Sequence, residues 1–443
     1  MRPSFPPIAL PKWPAVGALP KLAVGPREFL DANQARHGDI FATTILGQKI
    51  VFFTHPRHVQ HIRVNNSRKY SAGKGNPIAH LIFPDGIITT DGKKWRDRRR
   101  AAQPYFTPSH LETIFPAIDS SIRKNLTPFE ESATNGAPCN IRECASSITI
   151  SVITEAMLGA RVSRDDLEKI ISAIDYITNH PLRFFAQATL LENLQIPWRT
   201  RAQESLSLFS TVVRNILNDP NNQSHGSILR IYARDPLQSR AISNILELIL
   251  AGYESTECVL TWILLHIAHS PDLQRRLALE IDQSIGNGEP DPGNIRELKH
   301  LHMTLHEALR MYPPAYLLWS QCTETDTVDD LTIEAGTRAV ISIFHTQRHP
   351  SAWTSPGRFV PARFEHDDTI AEHRRNGSFT PFGTGSRQCI GQRLANSEIL
   401  LAVIRILQRY RLCPTAPTSR LPNPDLRISL RPLGKIQLLA SHR

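Results

Sequence analysis

The chain has 443 residues, 41% hydrophobic and 21% charged, with a formal net charge of +10. That balance supports a large buried core and excludes a disordered tail, a fibre or a low-complexity chain. Six cysteines (Cys139, Cys144, Cys258, Cys322, Cys389, Cys413) are too sparse for a disulfide framework, and no C-x-x-C or H-E-x-x-H spacing suggests zinc. The basic excess is dispersed except at Lys93–Arg100, where no nucleic-acid-binding motif accompanies it, so no nucleic-acid partner is expected.

Residues 1–20 form a proline-rich segment (Pro3, Pro6, Pro7, Pro11, Pro14, Pro20) without the continuous apolar core of a signal peptide. The most apolar stretch, Ile245 to Ala268, is interrupted by Glu247, Glu254 and His266, so no transmembrane segment is expected. A soluble, cytoplasmic protein follows as the expectation.

Asp39 to Thr54 reads as a hairpin turning at Gly47-Gln48. Asp91 to Ala102, His110 to Glu130 and Cys139 to Leu158 carry helical periodicity. Arg161 to Asp219, punctuated by Pro181 and Pro197 and followed by Pro220, suits a helical lid. Ala241 to Ser270 is apolar on nearly every face and would run about 45 Å, the signature of a helix crossing the middle of a domain. Helices are then predicted over Pro271 to Ile285 and Ile295 to Met311, with strands at Leu331 to Ile333 and Arg338 to Phe344. A helix over Gly391 to Tyr410 precedes strands near Arg427 to Leu430 and Lys435 to Leu439. The order predicts a mainly α (α+β) fold in one domain over residues 1–443, a large helical part with a small β-rich part.

Phe382-Gly383-Thr384-Gly385-Ser386-Arg387-Gln388-Cys389-Ile390-Gly391 is a glycine-rich loop carrying one cysteine before a strong helix. Its glycines let backbone approach a flat ligand, and a sulfur at a helix N-terminus meets the positive end of the dipole, which favours thiolate. The pattern Phe-x-x-Gly-x-Arg-x-Cys-x-Gly resembles the haem-binding loop of the cytochrome P450 family. The resemblance implies haem b between the long central helix and this loop, with Cys389 as iron ligand, Arg387 as partner of a haem propionate and Phe382 shielding the sulfur.

Further strings extend the resemblance along the chain. Glu307-Ala308-Leu309-Arg310, taken alone an ordinary surface pair, is followed by Met311-Tyr312-Pro313-Pro314 and later by Pro361-Ala362-Arg363-Phe364. In the family such a glutamate and two arginines form a buried network, so Glu307, Arg310 and Arg363 are assigned a structural role. Trp95 and Arg99, spaced i,i+4, resemble the pair that holds a haem propionate, and Arg348 resembles a third such contact, although the family more often has His where Gln347 stands. Two of the three residues Arg98 to Arg100 are expected on a solvated helix face.

Ala251-Gly252-Tyr253-Glu254-Ser255-Thr256 places polar groups inside the long apolar helix, where uncompensated they would cost about 1–3 kcal/mol each. The string resembles the family's oxygen-activating segment: Ala251 and Gly252 leave room for dioxygen, and Glu254 and Ser255 relay protons. The family usually has threonine where Ser255 stands, and serine lacks the methyl that fixes the hydroxyl. The role is therefore open between Ser255 and Thr256.

The implied activity is insertion of one oxygen atom from O2 into a small organic substrate. With no flavin or ferredoxin module in the chain, electrons are expected from a separate donor of ferredoxin or flavodoxin type, or a reductase. The segments resembling substrate contacts, 76–88, 184–194, 247–255, 314–318 and 428–429, are mostly apolar and favour a lipophilic molecule. The alternatives are a haem-thiolate enzyme that uses peroxide or rearranges its substrate, and a non-catalytic haem-binding sensor.

Overall fold

The computed structural model describes residues 5–7, 17–180, 184, 197–222, 227–416 and 420–443. Most of the proline-rich segment, Pro181 and all of the expected contact segment 184–194 except Phe184 lie outside these residues.

Helices predominate, as predicted, and the longest runs from Gln238 to Ala268. It satisfies the length and apolarity of a membrane span, against the sequence expectation, but 78% of its most apolar stretch is buried inside the protein, so it is a core helix. Helix Ile141–Ser151 packs along it. Trp262 anchors its C-terminal half, stacking on Tyr312 with ring centroids 3.8 Å apart and donating its indole N–H to the Leu430 carbonyl at 3.1 Å. Apolar residues from Ala79 to Ala440 form one continuous core around it.

The β part is a five-stranded sheet in the order Ile40–Ile45, Gln48–Phe53, Arg338–Ser342, Leu317–Cys322, Tyr70–Ser71. Its second and third strands are parallel and the other neighbours antiparallel. The predicted hairpin is present, but it turns at Leu46-Gly47, with φ of 48° and 78°, the two positive values of a type I′ loop, and Ile45 pairs with Gln48. Strand Leu317–Cys322 had no local signal and exists through its pairing with Arg338–Ser342. That partner ends at Ser342, because Ile343 turns to give its N–H to the Tyr316 carbonyl and opens a helical turn.

Several predicted helices divide. His110 to Glu130 is two helices, Pro108–Arg123 and Thr127–Asn135, the second restarted by a proline in its first turn. Ile295 to Met311 is Pro292–Glu297 and Lys299–Met311; the Glu280 carboxylate takes the free N–H groups of His300 and Leu301 at 2.7 and 3.0 Å and starts the second helix. Cys139 to Leu158 is a two-residue strand, a helix to Ser151 and a π-turn, Val152–Met157. The expected terminal strands shift to a hairpin, Pro424–Leu426 with Leu430–Pro432, and to Gln437–His442, which lies between Cys139–Asn140 and Tyr410–Pro414.

Candidate haem-thiolate site

The cysteine loop is closed by its own backbone: the Cys389 N–H donates to the Phe382 carbonyl at 2.9 Å. Gly385 must be glycine, with φ of 69° and a position where a Cβ would lie 2.4 Å from the Arg63 carbonyl oxygen. Phe382 packs against the main core. Gly391 caps helix Gln392–Arg409, and the Gly391 and Gln392 N–H groups point at the Cys389 sulfur, as the helix N-terminus predicted. Burial nevertheless dominates and pushes the thiol up; those two N–H groups and the Arg99 cation only oppose it. The helix N-terminus thus favours the thiolate, as expected, but against a larger cost of burial, which a bound metal cation would offset.

Cys389 lies deep in the fold, yet its side chain is accessible. On the central helix, buried along most of its length, Ala251 is likewise exposed and Gly252 and Ser255 are part-exposed. An accessible thiol inside a protein and an uncovered small-residue face on its core helix mark an internal space, and a flat macrocycle with an axial sulfur ligand suits it. Gly252 itself is needed for packing, because a Cβ there would come 2.7 Å from the Ile153 Cδ1 on the π-turn.

Cations collect beside the loop. The Arg387 guanidinium lies 4.2 Å from the centre of the Trp95 ring, and Arg99 lies 6.0 Å from it. Arg387 also donates to the Thr90 carbonyl at 2.7 Å and pairs with Asp91. Arg63, which sequence reasoning passed over, joins them: it sits on a π-turn, His61–Asn65, donates to Ser320 Oγ at 2.9 Å, and its charge and that of Arg387 repel each other. Burial, with that repulsion, lowers Arg63 to about 10. Among the described residues, Asp91 is the carboxylate whose charge opposes this excess at both Arg63 and Arg387, so the cluster suits the two carboxylates of haem. A π-turn is a frequent mark of function, but nothing local in His61 to Asn65 announces one.

Two expectations for basic residues are corrected. Arg348 donates to the Met311 and Phe344 carbonyls and lies over the Phe344 ring at 3.8 Å; it leaves the end of a four-residue helix toward the Glu307 network, away from a cofactor-contact role. Arg98 is not solvated: it pairs with Asp85 at 2.7 Å and ties down the loop before its helix. Arg100 is exposed, and Arg99 part-buried.

The Glu307, Arg310 and Arg363 network forms as expected. Arg310 and Glu307, both fully buried, share bonds of 2.6 and 2.9 Å, and Arg363 donates to Glu307 at 3.3 Å. Gln347, where the family more often has histidine, donates to the Leu309 and Arg310 carbonyls and accepts the Thr380 N–H at 2.8 Å.

The polar segment of the central helix splits between two faces. Ser255 donates to the Ala251 carbonyl at 2.6 Å on the open face. Glu254 is buried on another, accepting the Ser429 hydroxyl, and Thr256 is also buried. Two turns earlier, Glu247 accepts the Ile88 N–H at 3.0 and 3.2 Å and holds the loop before helix Gly92–Ala102; burial pushes it up to about 8. Between the unfolded value of 4.5 and about 8 the folded chain therefore binds more protons than the unfolded one, and stability falls as pH rises through that window. Denaturant unfolding of Glu247→Gln across pH 5 to 8 should show that slope reduced.

A cytochrome P450 family model matches residues 6–440. Relatives include cyclooctatin synthase of Streptomyces melanosporofaciens, 26% identical over 438 residues (96% of this chain, 93% of the relative). Cytochrome P450 3A5 of Homo sapiens is 28% identical over 389 residues (82% and 76%), and cytochrome P450 4d2 of Drosophila melanogaster 25% over 454 residues (93% and 88%). With a family match along nearly the whole chain and an accessible interior thiol in the loop that carries the family's cysteine pattern, this chain belongs to the cytochrome P450 family.

Proposed function

We propose that this chain, a haem-thiolate monooxygenase of the cytochrome P450 family that binds haem b, acts on a lipophilic small organic molecule, takes its electrons from a separate ferredoxin- or flavodoxin-type protein or reductase, and works as one cytoplasmic catalytic domain over residues 1–443. Six unpaired cysteines suit a reducing compartment, and Ile82, Ile87 and Leu248, in the expected contact segments, are buried and apolar. Bound haem supplies reductive activation of dioxygen, and thiolate ligation favours O–O cleavage, a property of the family rather than of these residues.

The chain's own residues do the rest. Cys389 would hold the metal, Arg387, Arg99 and Arg63 would meet the carboxylates, and Ala251 and Gly252 would leave room for dioxygen. Ser255 holds a proton on the open face, replenished from Glu254. The single observation behind this reading is the buried carboxylate of Glu254 one residue before the open-face hydroxyl of Ser255. A route driven by external electrons needs such a proton supply, whereas a peroxide route brings its own protons. Thr256 is buried, which favours Ser255 for the role.

Turnover with reduced partner proteins and oxygen, set against peroxide alone, tests the proposal. Product should require electron transfer, and Ser255→Ala should lower product formed per oxygen consumed by ~10²-fold at most, the low end of what a positioned proton donor contributes. Equal turnover on peroxide alone would replace this reading with a peroxygenase.

A further inference from the structure

Behind the open face of the central helix lies a buried polar cluster around Glu254, of which the reaction as described leaves Glu257 and Cys258 unused. Glu257 is fully buried one turn beyond Glu254. The carboxylate oxygens of the two residues and the Cys258 sulfur lie within 4.8 Å of one another. Ser429 bridges them: its hydroxyl donates to Glu254, and its oxygen accepts from the Cys258 thiol at 3.3 Å. The Cys258 sulfur is 3.8 Å from Glu257 Oε2.

Each neighbouring element contributes charge to this cluster. Arg142, from helix Ile141–Ser151, donates to Glu257 at 3.3 Å and to Asp175 of helix Arg164–Asn179 at 3.0 Å. Arg431, from the terminal hairpin, lies 4.0 Å from Glu254 and 3.7 Å from Asp175. Thr261 donates to Glu257 at 3.3 Å from the next turn. Glu254 Oε2 and Arg431 Nη1 are both buried without a hydrogen-bond partner among the described residues, so one carboxylate oxygen stands ready to accept. Arg142 and Asp175 are 27% and 38% exposed, which gives water a way in at the far side.

Two carboxylates this close cannot both carry charge cheaply in a low-dielectric interior. Burial, and then the charge of Glu254, push Glu257 up, while Arg142 and Arg431 pull it down. We propose that Glu257 is a positioning residue for oxygen activation, holding a proton in reserve and passing it to Glu254. The Glu257 carboxyl gives its proton to the Cys258 sulfur, Cys258 passes its thiol proton to the Ser429 oxygen, and the Ser429 hydroxyl passes its own to the Glu254 carboxylate, so thiol and hydroxyl end unchanged. Glu257, now charged, is held by Arg142 and regains a proton from water beside Asp175; no electron moves. This inference rests on the proposed role of Glu254 and Ser255.

Glu257→Gln, in the haem-loaded protein, tests it. Product formation should fall by about tenfold, below what loss of the direct donor brings, with KM unchanged. The limb of its pH profile near neutrality should vanish, and the solvent deuterium effect on turnover should rise. In the resting protein, an infrared band of a protonated carboxyl that titrates near neutrality should be lost. Arg142→Gln should move that limb and that band to higher pH, since the cation holds Glu257 down. Survival of both in Glu257→Gln overturns the proposal. If Ser255→Ala also leaves product per oxygen unchanged, the reading beneath falls too; if Ser255→Ala alone is impaired, only the Glu257 step falls.

Discussion

Replacing Cys389 with alanine is expected to abolish monooxygenase turnover and to remove the ferrous-carbonyl absorption of a thiolate-ligated haem. The loss should exceed the roughly 10–100-fold that removing an outer partner of a metal ligand brings, because the ligand itself is gone. No other thiol can replace it: Cys139, Cys144, Cys258 and Cys322 are buried, and Cys413 lies on a strand of the terminal sheet. Spectra of the reconstituted variant provide the check. An unchanged carbonyl band would mean that another residue holds the iron.

Glu307→Ala is expected to produce the largest loss of stability. Its carboxylate meets two arginines and the Val360 N–H at 2.7 Å, and Arg310 in turn donates to the Gln347, Pro356 and Arg358 carbonyls at 2.9 to 3.1 Å. Removing the acid leaves Arg310 charged and fully buried, which costs about 3–5 kcal/mol. The network also reaches the approach to the cysteine loop, since the Gln347 side chain ties the Arg310 carbonyl to the Thr380 N–H. Haem retention should fall with the denaturation midpoint. Arg363→Ala, which removes a part-exposed partner, should cost less.

The parts of the site that were legible in the sequence are those carried by a short, continuous string. Cys389 could be found because its loop needs glycines at fixed positions and a helix directly after; both constraints act within ten residues. Glu307 and Arg310 were legible for a similar reason, being one turn apart on one helix. Arg348 failed the same test: its neighbours in sequence said nothing about the direction its side chain takes from a helical turn, and the stack on Phe344 decided that. Arg63 gave no local signal, because its meaning comes from Ser320 and Arg387, more than two hundred and fifty residues away. The β strands show the same division. The first hairpin was visible in local alternation, displaced by one residue at the turn, whereas Leu317–Cys322 is a strand only because a partner lies beside it.

Residue order alone determined that a long apolar helix and a cysteine-bearing loop before a second helix form the centre of a mainly helical protein. Periodicity and backbone geometry act over a few residues and need no distant partner. Tertiary structure alone decided the chemistry around them: that Ser255 faces open space while Glu254 and Glu257 turn to Ser429 and Arg142, and that burial outweighs the helix dipole at the Cys389 sulfur. Desolvation and charge pairing depend on which remote segments close over a group, and that is settled only when the chain has folded.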